Sequence, residues 1–292
     1  MDLTLTVEAA ARGAIVGTGA GLLALAVVLT FRSTGVLNFA LGGIASVSAF
    51  VVWELWNQDG TPLPAAVVAA LAISVGLGLA TERVMRPLAG APVAVRAIAT
   101  LGLLLLVNGS IVLLWGPADR YLPALTGGAV PIGSVRVGSQ EIGLAVLAVL
   151  AAVALGVWTR TRPLGMASLA IGEDPDAARL LGVRPTRVAA VVWGLSALLA
   201  GMAGIGLSGG QGVLNSTGMT LALVASLAAV LLGGFDRLGI TVAAAAGVGA
   251  LTAAVAVVPQ AARVSGLVES TGFLVVLAVV LLRPRRAALG RA

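Results

Sequence analysis

The side chains on which most protein chemistry depends are missing from this chain. It has no His, no Cys and no Lys, so each of its 18 basic residues is an arginine. That removes imidazole acid–base work, Cys and His metal sites, thiol nucleophiles, Schiff bases and the lysine-containing phosphate loop of ATPases. Two groups of residues remain whose types and spacing could act. The first is the run Glu173-Asp174-Pro175-Asp176-Ala177-Ala178-Arg179-Leu180-Leu181-Gly182. Asp174 is placed to cap a short helix, Pro175 to open it and Gly182 to end it, with Glu173 and Asp176 at its positive end. Ala177, Leu180 and Leu181 fall at i, i+3 and i+4, an apolar stripe that two turns cannot bury by themselves, so it calls for a partner's groove. The same capping pattern also allows a plain solvated connector. The second group is neutral: Asn38, Ser46, Thr100 and Asn108, with Ser48 and Ser110 behind them, interrupt long apolar runs. Polar groups in lipid are costly unless paired or facing a cavity, so these positions are where a solute path is to be sought. An interhelical hydrogen bond is the alternative reading for each.

The elements that must position these residues follow from composition. With 59% hydrophobic and 10% charged residues, the 292-residue chain lacks the polar surface to cover a water-soluble globule. About 20 apolar residues span the hydrocarbon of a bilayer. Runs of this kind extend over 13–31, 33–53, 60–81, 97–118 and 142–159; 188–235 holds two, split at the turn-rich 209–218, and 238–262 and 264–282 complete nine. The expectation is an all-α integral membrane protein, a polytopic bundle of about eight to ten transmembrane segments forming a single domain over 1–292. The second segment, with Asn38, Gly42, Gly43, Ser46 and Ser48, is expected to be broken or re-entrant. Gly116 to Glu141 reads as a long Gly- and Pro-rich loop, and 160–187 as a loop carrying the short capped helix. The acidic start, with Asp2 and Glu8, argues that the first apolar run is a retained span. Gly42, Gly43, Gly102, Gly201 and Gly204 read as places of close helix contact.

Arginine sets the orientation, because positively charged loops stay in the cytoplasm. Alternating the nine segments puts Arg32, Arg83, Arg86, Arg96, Arg160, Arg162, Arg179, Arg184, Arg187, Arg237, Arg283, Arg285, Arg286 and Arg291 on one side. Only Arg12, Arg120, Arg136 and Arg263 fall on the other. The amino terminus is therefore expected outside and the carboxyl terminus inside. Arginines spread in this way read as topology rather than as a nucleic-acid face.

Several stretches, in order along roughly residues 13 to 282, resemble the ABC permeases for branched-chain amino acids. They are Gly35-Val36-Leu37-Asn38-Phe39-Ala40-Leu41-Gly42, Arg86-Pro87-Leu88-Ala89-Gly90 with Ile98-Ala99-Thr100-Leu101-Gly102, and Leu164-Gly165-Met166 through Glu173 to Val183. Ala197 to Gly204 and Leu232-Gly233-Gly234 complete the set. The chain departs from the family pattern at Gly43, where a polar or acidic residue is usual, and at Phe235-Asp236-Arg237, where a glycine-containing turn is usual. The resemblance implies a non-enzymatic subunit of the cytoplasmic membrane of a prokaryote, without a bound cofactor. It implies a second permease subunit, identical or related, two cytoplasmic ATPases carrying ATP and Mg, and an external substrate-binding protein. The helix Asp174 to Leu181 would then dock on the ATPase. Within the same family, urea, short amides or another small solute are alternative cargoes. A secondary transporter is the alternative from another class, and no carboxylate near the middle of a span supports it.

Overall fold

A backbone in hydrocarbon has no water to bond, so apolar runs of this length must satisfy their amides internally as helices. The computed structural model describes residues 3–133, 135–258 and 267–282, and among them helix dominates. The helices are α1 (Leu3–Thr34), α2 (Ala40–Val52, continued by a π-helical turn Trp53–Gln58), α3 (Leu63–Met85), α4 (Val93–Trp115), α5 (Ser139–Thr161) and α6 (Pro163–Glu173). They continue with α7 (Pro175–Leu180), α8 (Pro185–Gln211), α9 (Gly218–Gly233), α10 (Leu238–Ala256) and α11 (Leu267–Leu282). Seven, namely α1 to α5, α8 and α10, are long and apolar enough to cross a membrane, and α9 and α11 carry shorter apolar stretches. These nine match the nine segments read from the sequence.

Burial sorts them. The apolar windows of α1, α2 and α8 are 67%, 72% and 67% buried, whereas α3, α4, α5 and α10 turn most of their surface outward. The core therefore runs along α1, α2 and α8, with Leu22 to Val28 of α1 fully enclosed. Small residues allow this. Gly42 approaches Leu223 and Met219 of α9, Gly43 approaches Val107 and Leu104 of α4, Gly204 lies on Ala45, and Gly201 on Ser74 and Ser48. Gly102 is the exception among the expected contact glycines, since a Cβ there would meet nothing within 4 Å.

Three expectations change. The break in the second segment lies at its start: 36–38 is non-helical, so Asn38 precedes α2 rather than sitting inside it, and α2 then crosses to the far end instead of re-entering. The loop expected over 116–141 is shorter, because α5 already begins at Ser139, and it carries strands β1 (Arg120–Tyr121), β2 (Ala129–Ile132) and β3 (Val135–Gly138). β2 pairs antiparallel with β3, and β1 with β4 (Val213–Leu214). Finally, Gly209 and Gly210 belong to α8, which ends only when Gly212 turns left-handed (φ 71°).

Among the described residues, the two arginine sets occupy opposite ends of the bundle. At one end Phe31 stacks on Phe235 with ring centroids 4.2 Å apart, and Arg96 Nη1 donates to the Thr34 carbonyl at 2.9 Å. Gly172 there sits against the Arg32 carbonyl. At the other, Arg12 pairs with Glu141 at 2.7 Å, and Arg120 lies in the β1–β4 ladder. Arg263, Arg283, Arg285, Arg286 and Arg291, as well as Asp2, lie outside the described residues.

Candidate functional site

The short helix forms as its sequence demands. Asp174 leaves the helical region (φ −149°, ψ 102°) and its Oδ1 accepts from the amides of Asp176 and Ala177, both at 2.9 Å. Pro175 occupies the first turn, where its missing amide costs nothing. Asp176 and Arg179 form an i, i+3 ion pair. At the other end Gly182 takes φ +82°, its amide donates to Arg179 O at 3.0 Å, and the Val183 amide donates to Ala178 O at 3.1 Å. This is a Schellman ending, which requires a residue free to adopt the left-handed conformation. Within α7, Ala178 faces inward at 2% exposure, so it belongs to the fold rather than to the outer surface. Glu173, Asp174, Pro175 and Ala177 are exposed, and Leu180 and Leu181 stand at 90% and 82% exposure, with no apolar neighbour to cover them.

The capping pattern by itself reads as a short, isolated helix, but α7 does not stand alone. It is carried by α6, an 11-residue helix that was read as loop. Pro163 at its first turn was the available signal; the glycines at 165 and 172 masked it, because glycine disfavours helix. Their role is close approach: a Cβ on Gly165 would collide with the Trp158 carbonyl of α5, and one on Gly172 with the Arg32 carbonyl of α1. α6 is thus pressed on the ends of α1 and α5, and it joins α7 to the central helix of the bundle.

The polar residues fall at two levels. α2 and α4 run in parallel, with Thr100 beside the 37–39 stretch, Gly43 beside Leu104 and Val107, and Glu54 beside Trp115. At the first level, Thr100 Oγ1 donates to Leu37 O at 2.9 Å, sharing its proton with Ala97 O, and accepts from the Phe39 amide at 3.3 Å. Asn38 Oδ1 accepts from the Ala40 amide at 3.1 Å, an Asx turn leading into α2. Asn38 and Thr100 are both buried, and their oxygens bond the backbone at the joint between α1 and α2. Eight residues further along both helices, about 12 Å at the helical rise, come Ser46 and Asn108. Asn108 Nδ2 donates to Thr220 Oγ1 of α9 at 3.3 Å, but its Oδ1 has no partner, and neither has the fully buried Ser46 Oγ. Unsatisfied buried polar atoms cost free energy and call for a cause. Asn215, beside α9, also holds an unpartnered Oδ1. Sequence reading missed Thr220 and Asn215 because both lie beside a turn, where polar residues are ordinary.

Comparison with known proteins bears on the whole chain. The family model described as the branched-chain amino acid transport system permease component matches residues 9–282. The chain is 27% identical to the high-affinity branched-chain amino acid transport permease LivH of Escherichia coli K12, over 77% of this chain and 78% of that one. It is 25% identical to BraD of Pseudomonas aeruginosa, with the same coverage. An autoinducer 2 import permease, LsrC of Enterobacter sp. strain 638, is 31% identical over 75% of this chain and 61% of its own. In solved structures, PsaBC of Streptococcus pneumoniae in complex with a Fab shares the fold, with a TM-score of 0.51, 14% identity, and 95% and 93% of the two chains covered. With a match over nearly its entire length, and a polytopic helical bundle to accompany it, this chain belongs to the family of branched-chain amino acid transport system permease components.

Proposed function

We propose that this chain is a transmembrane subunit of an ATP-driven importer of branched-chain or other hydrophobic amino acids. The observation that carries the reading is the pair Leu180 and Leu181, held exposed on a helix braced against the central bundle. A short helix with exposed apolar anchors fits the groove of a cytoplasmic ATPase. Two such ATPases, with their ATP and Mg, a second permease subunit and an external binding protein complete the assembly. This chain contributes mechanics and a path, and the ATPase contributes the chemistry. Similarity to LivH and BraD supports the amino-acid cargo. Similarity to LsrC and to the fructose permease FrcC of Rhizobium meliloti keeps a small polar solute as the second reading.

The proposed path runs past Ser46 and Asn108, whose free oxygens can meet a solute's polar groups in passing, while Asn38 and Thr100 set its arginine-rich end. Vesicles reconstituted with the permease, its ATPase and its binding protein should accumulate labelled leucine when ATP is supplied inside. Asn108→Leu should lower that uptake roughly tenfold, the worth of about one hydrogen bond to a polar solute. Assembly and basal ATP hydrolysis should stay near normal. Uptake of fructose but not leucine would transfer the chain to the second reading, and loss of assembly would return Asn108 to a purely structural role.

The end holding Arg32, Arg83, Arg96 and α7 is assigned to the cytoplasm and the end holding β1 to β4 to the exterior, following the arginine excess. Because the chain has no cysteine, Thr126→Cys and Thr186→Cys, both at exposed positions, provide labelling sites without background. An impermeant thiol reagent applied to intact cells should modify the first and not the second. Labelling of Thr186→Cys alone would invert the orientation.

A further inference from the structure

α3 and α8 are antiparallel neighbours, with Gly78 against Trp193 and Ala197 and Gly201 against Ser74. Alongside that contact an open groove of ≈ 300 Å³ runs between the two helices. Val75 and Leu79 of α3 form one wall, and Val191 and Leu198 of α8 the other. Gly194 forms the floor: a Cβ there would stand 3.7 Å from both Leu79 and Val75, so the missing side chain is what leaves the space open.

Helical spacing extends both walls to charge. Along α3 and the short turn that continues it, Val75, Leu79, Arg83 and Arg86 follow at steps of four, four and three, and on α8, Arg187, Val191, Gly194 and Leu198 at four, three and four. Each set lies along one stripe of its helix. Because the helices are antiparallel, both stripes reach arginine at the same end of the groove. Arg86 is held by Glu82 at 2.7 Å. Arg83 and Arg187 are exposed and form no ion pair among the described residues.

We propose that this groove binds one anionic phospholipid, with an acyl chain along Gly194 and the phosphate between Arg83 and Arg187. An apolar channel ending in two uncompensated cations matches the two parts of such a molecule, and a water-soluble anion would leave the channel unfilled. A second copy of this chain is a poor occupant. A twofold axis along the membrane normal would bring Arg83 and Arg187 of both copies to the same level, and Glu82, next to Arg83 in the chain, is already engaged by Arg86. The inference is independent of the transported solute.

Native mass spectrometry of the full-length permease, titrated with phosphatidylglycerol and phosphatidylcholine of identical chains, tests it. Phosphatidylglycerol should be retained on the order of tenfold better, as two arginines near a lipid surface allow. The Arg83→Gln/Arg187→Gln double variant alters only exposed side chains and should lower phosphatidylglycerol to the level of phosphatidylcholine. Gly194→Leu keeps both arginines but fills the groove, and should reduce retention of both lipids. Equal retention of the two lipids by the unaltered protein, or full retention by Gly194→Leu, overturns the site. Efficient disulfide cross-linking between two copies of Val191→Cys in native membranes would assign the groove to a subunit interface and overturn it as well.

Discussion

Replacing Leu180 and Leu181 together by aspartate is expected to produce a permease that inserts normally but no longer holds its ATPase. Both side chains are exposed in the free subunit, so the change removes nothing from its own core. In the assembly each would be buried, and a leucine fully removed from water contributes about 1.5–3 kcal/mol. Losing both, and placing two carboxylates in a dry contact, should weaken attachment by at least a hundredfold. The ends of α7 should survive, because its cap at Asp174 and its left-handed Gly182 are untouched. Pull-down of the ATPase by tagged permease reads the attachment directly, and membrane abundance by immunoblot controls for insertion. A double variant that captures its ATPase normally and still transports would reduce α7 to a connector.

The second large effect is expected where no ligand is involved. Gly13 and Gly17 form a small-x-x-x-small pair on α1, and Gly249 of α10 is set into it. A Cβ on Gly249 would fall on the Gly13 carbonyl oxygen and within 2.6 Å of the Gly17 Cα. Backbone cannot rotate aside as a side chain can, so Gly249→Val must push α10 away from α1. Forcing extra atoms into a packed contact costs about 1–3 kcal/mol and more where backbone is struck. Gly247, two residues earlier on the same helix, meets nothing within 4 Å, which makes Gly247→Val a matched control for the substitution itself. In detergent, Gly249→Val should lower the thermal midpoint by on the order of 5–10 °C while Gly247→Val changes it little. Equal midpoints for the two variants would show that the α1–α10 contact is looser than its geometry.

Phe235 adopts a backbone conformation with a structural consequence. It is the only non-glycine residue with positive φ among the described residues, at 66°, in the turn between α9 and α10. A bulky residue in the left-handed region is strained by of order 1–3 kcal/mol. Its ring lies against Phe31 at 4.2 Å, and such an aromatic pair contributes about 0.5–1.5 kcal/mol beyond burial, offsetting part of that strain. The same contact ties the α9–α10 turn to the end of α1.

Much of this protein was determined by sequence alone, because lipid leaves few choices. Apolar runs long enough to span had to become helices, and all nine did, since a backbone amide in hydrocarbon has no other partner. The caps of α7 were equally legible: Asp174, Pro175 and Gly182 act through bonds to residues within a few positions, so their geometry is local and their residue types suffice. Tertiary structure decided what depended on neighbours distant in the chain. That Ala178 faces inward while Leu180 and Leu181 face out depends on α6, whose glycines look unfavourable to helix until the carbonyls of Trp158 and Arg32 are seen against them. Asn38 and Thr100 are 62 positions apart and appeared as separate candidates, yet both bond the backbone of one joint, Thr100 at Leu37 and Phe39 and Asn38 at Ala40. Ser46 and Asn108 looked the same in sequence and keep unpartnered oxygens. A polar side chain in an apolar run announces that a hydrogen bond is needed; only the packing of helices decides whether the protein supplies it or leaves it unmade.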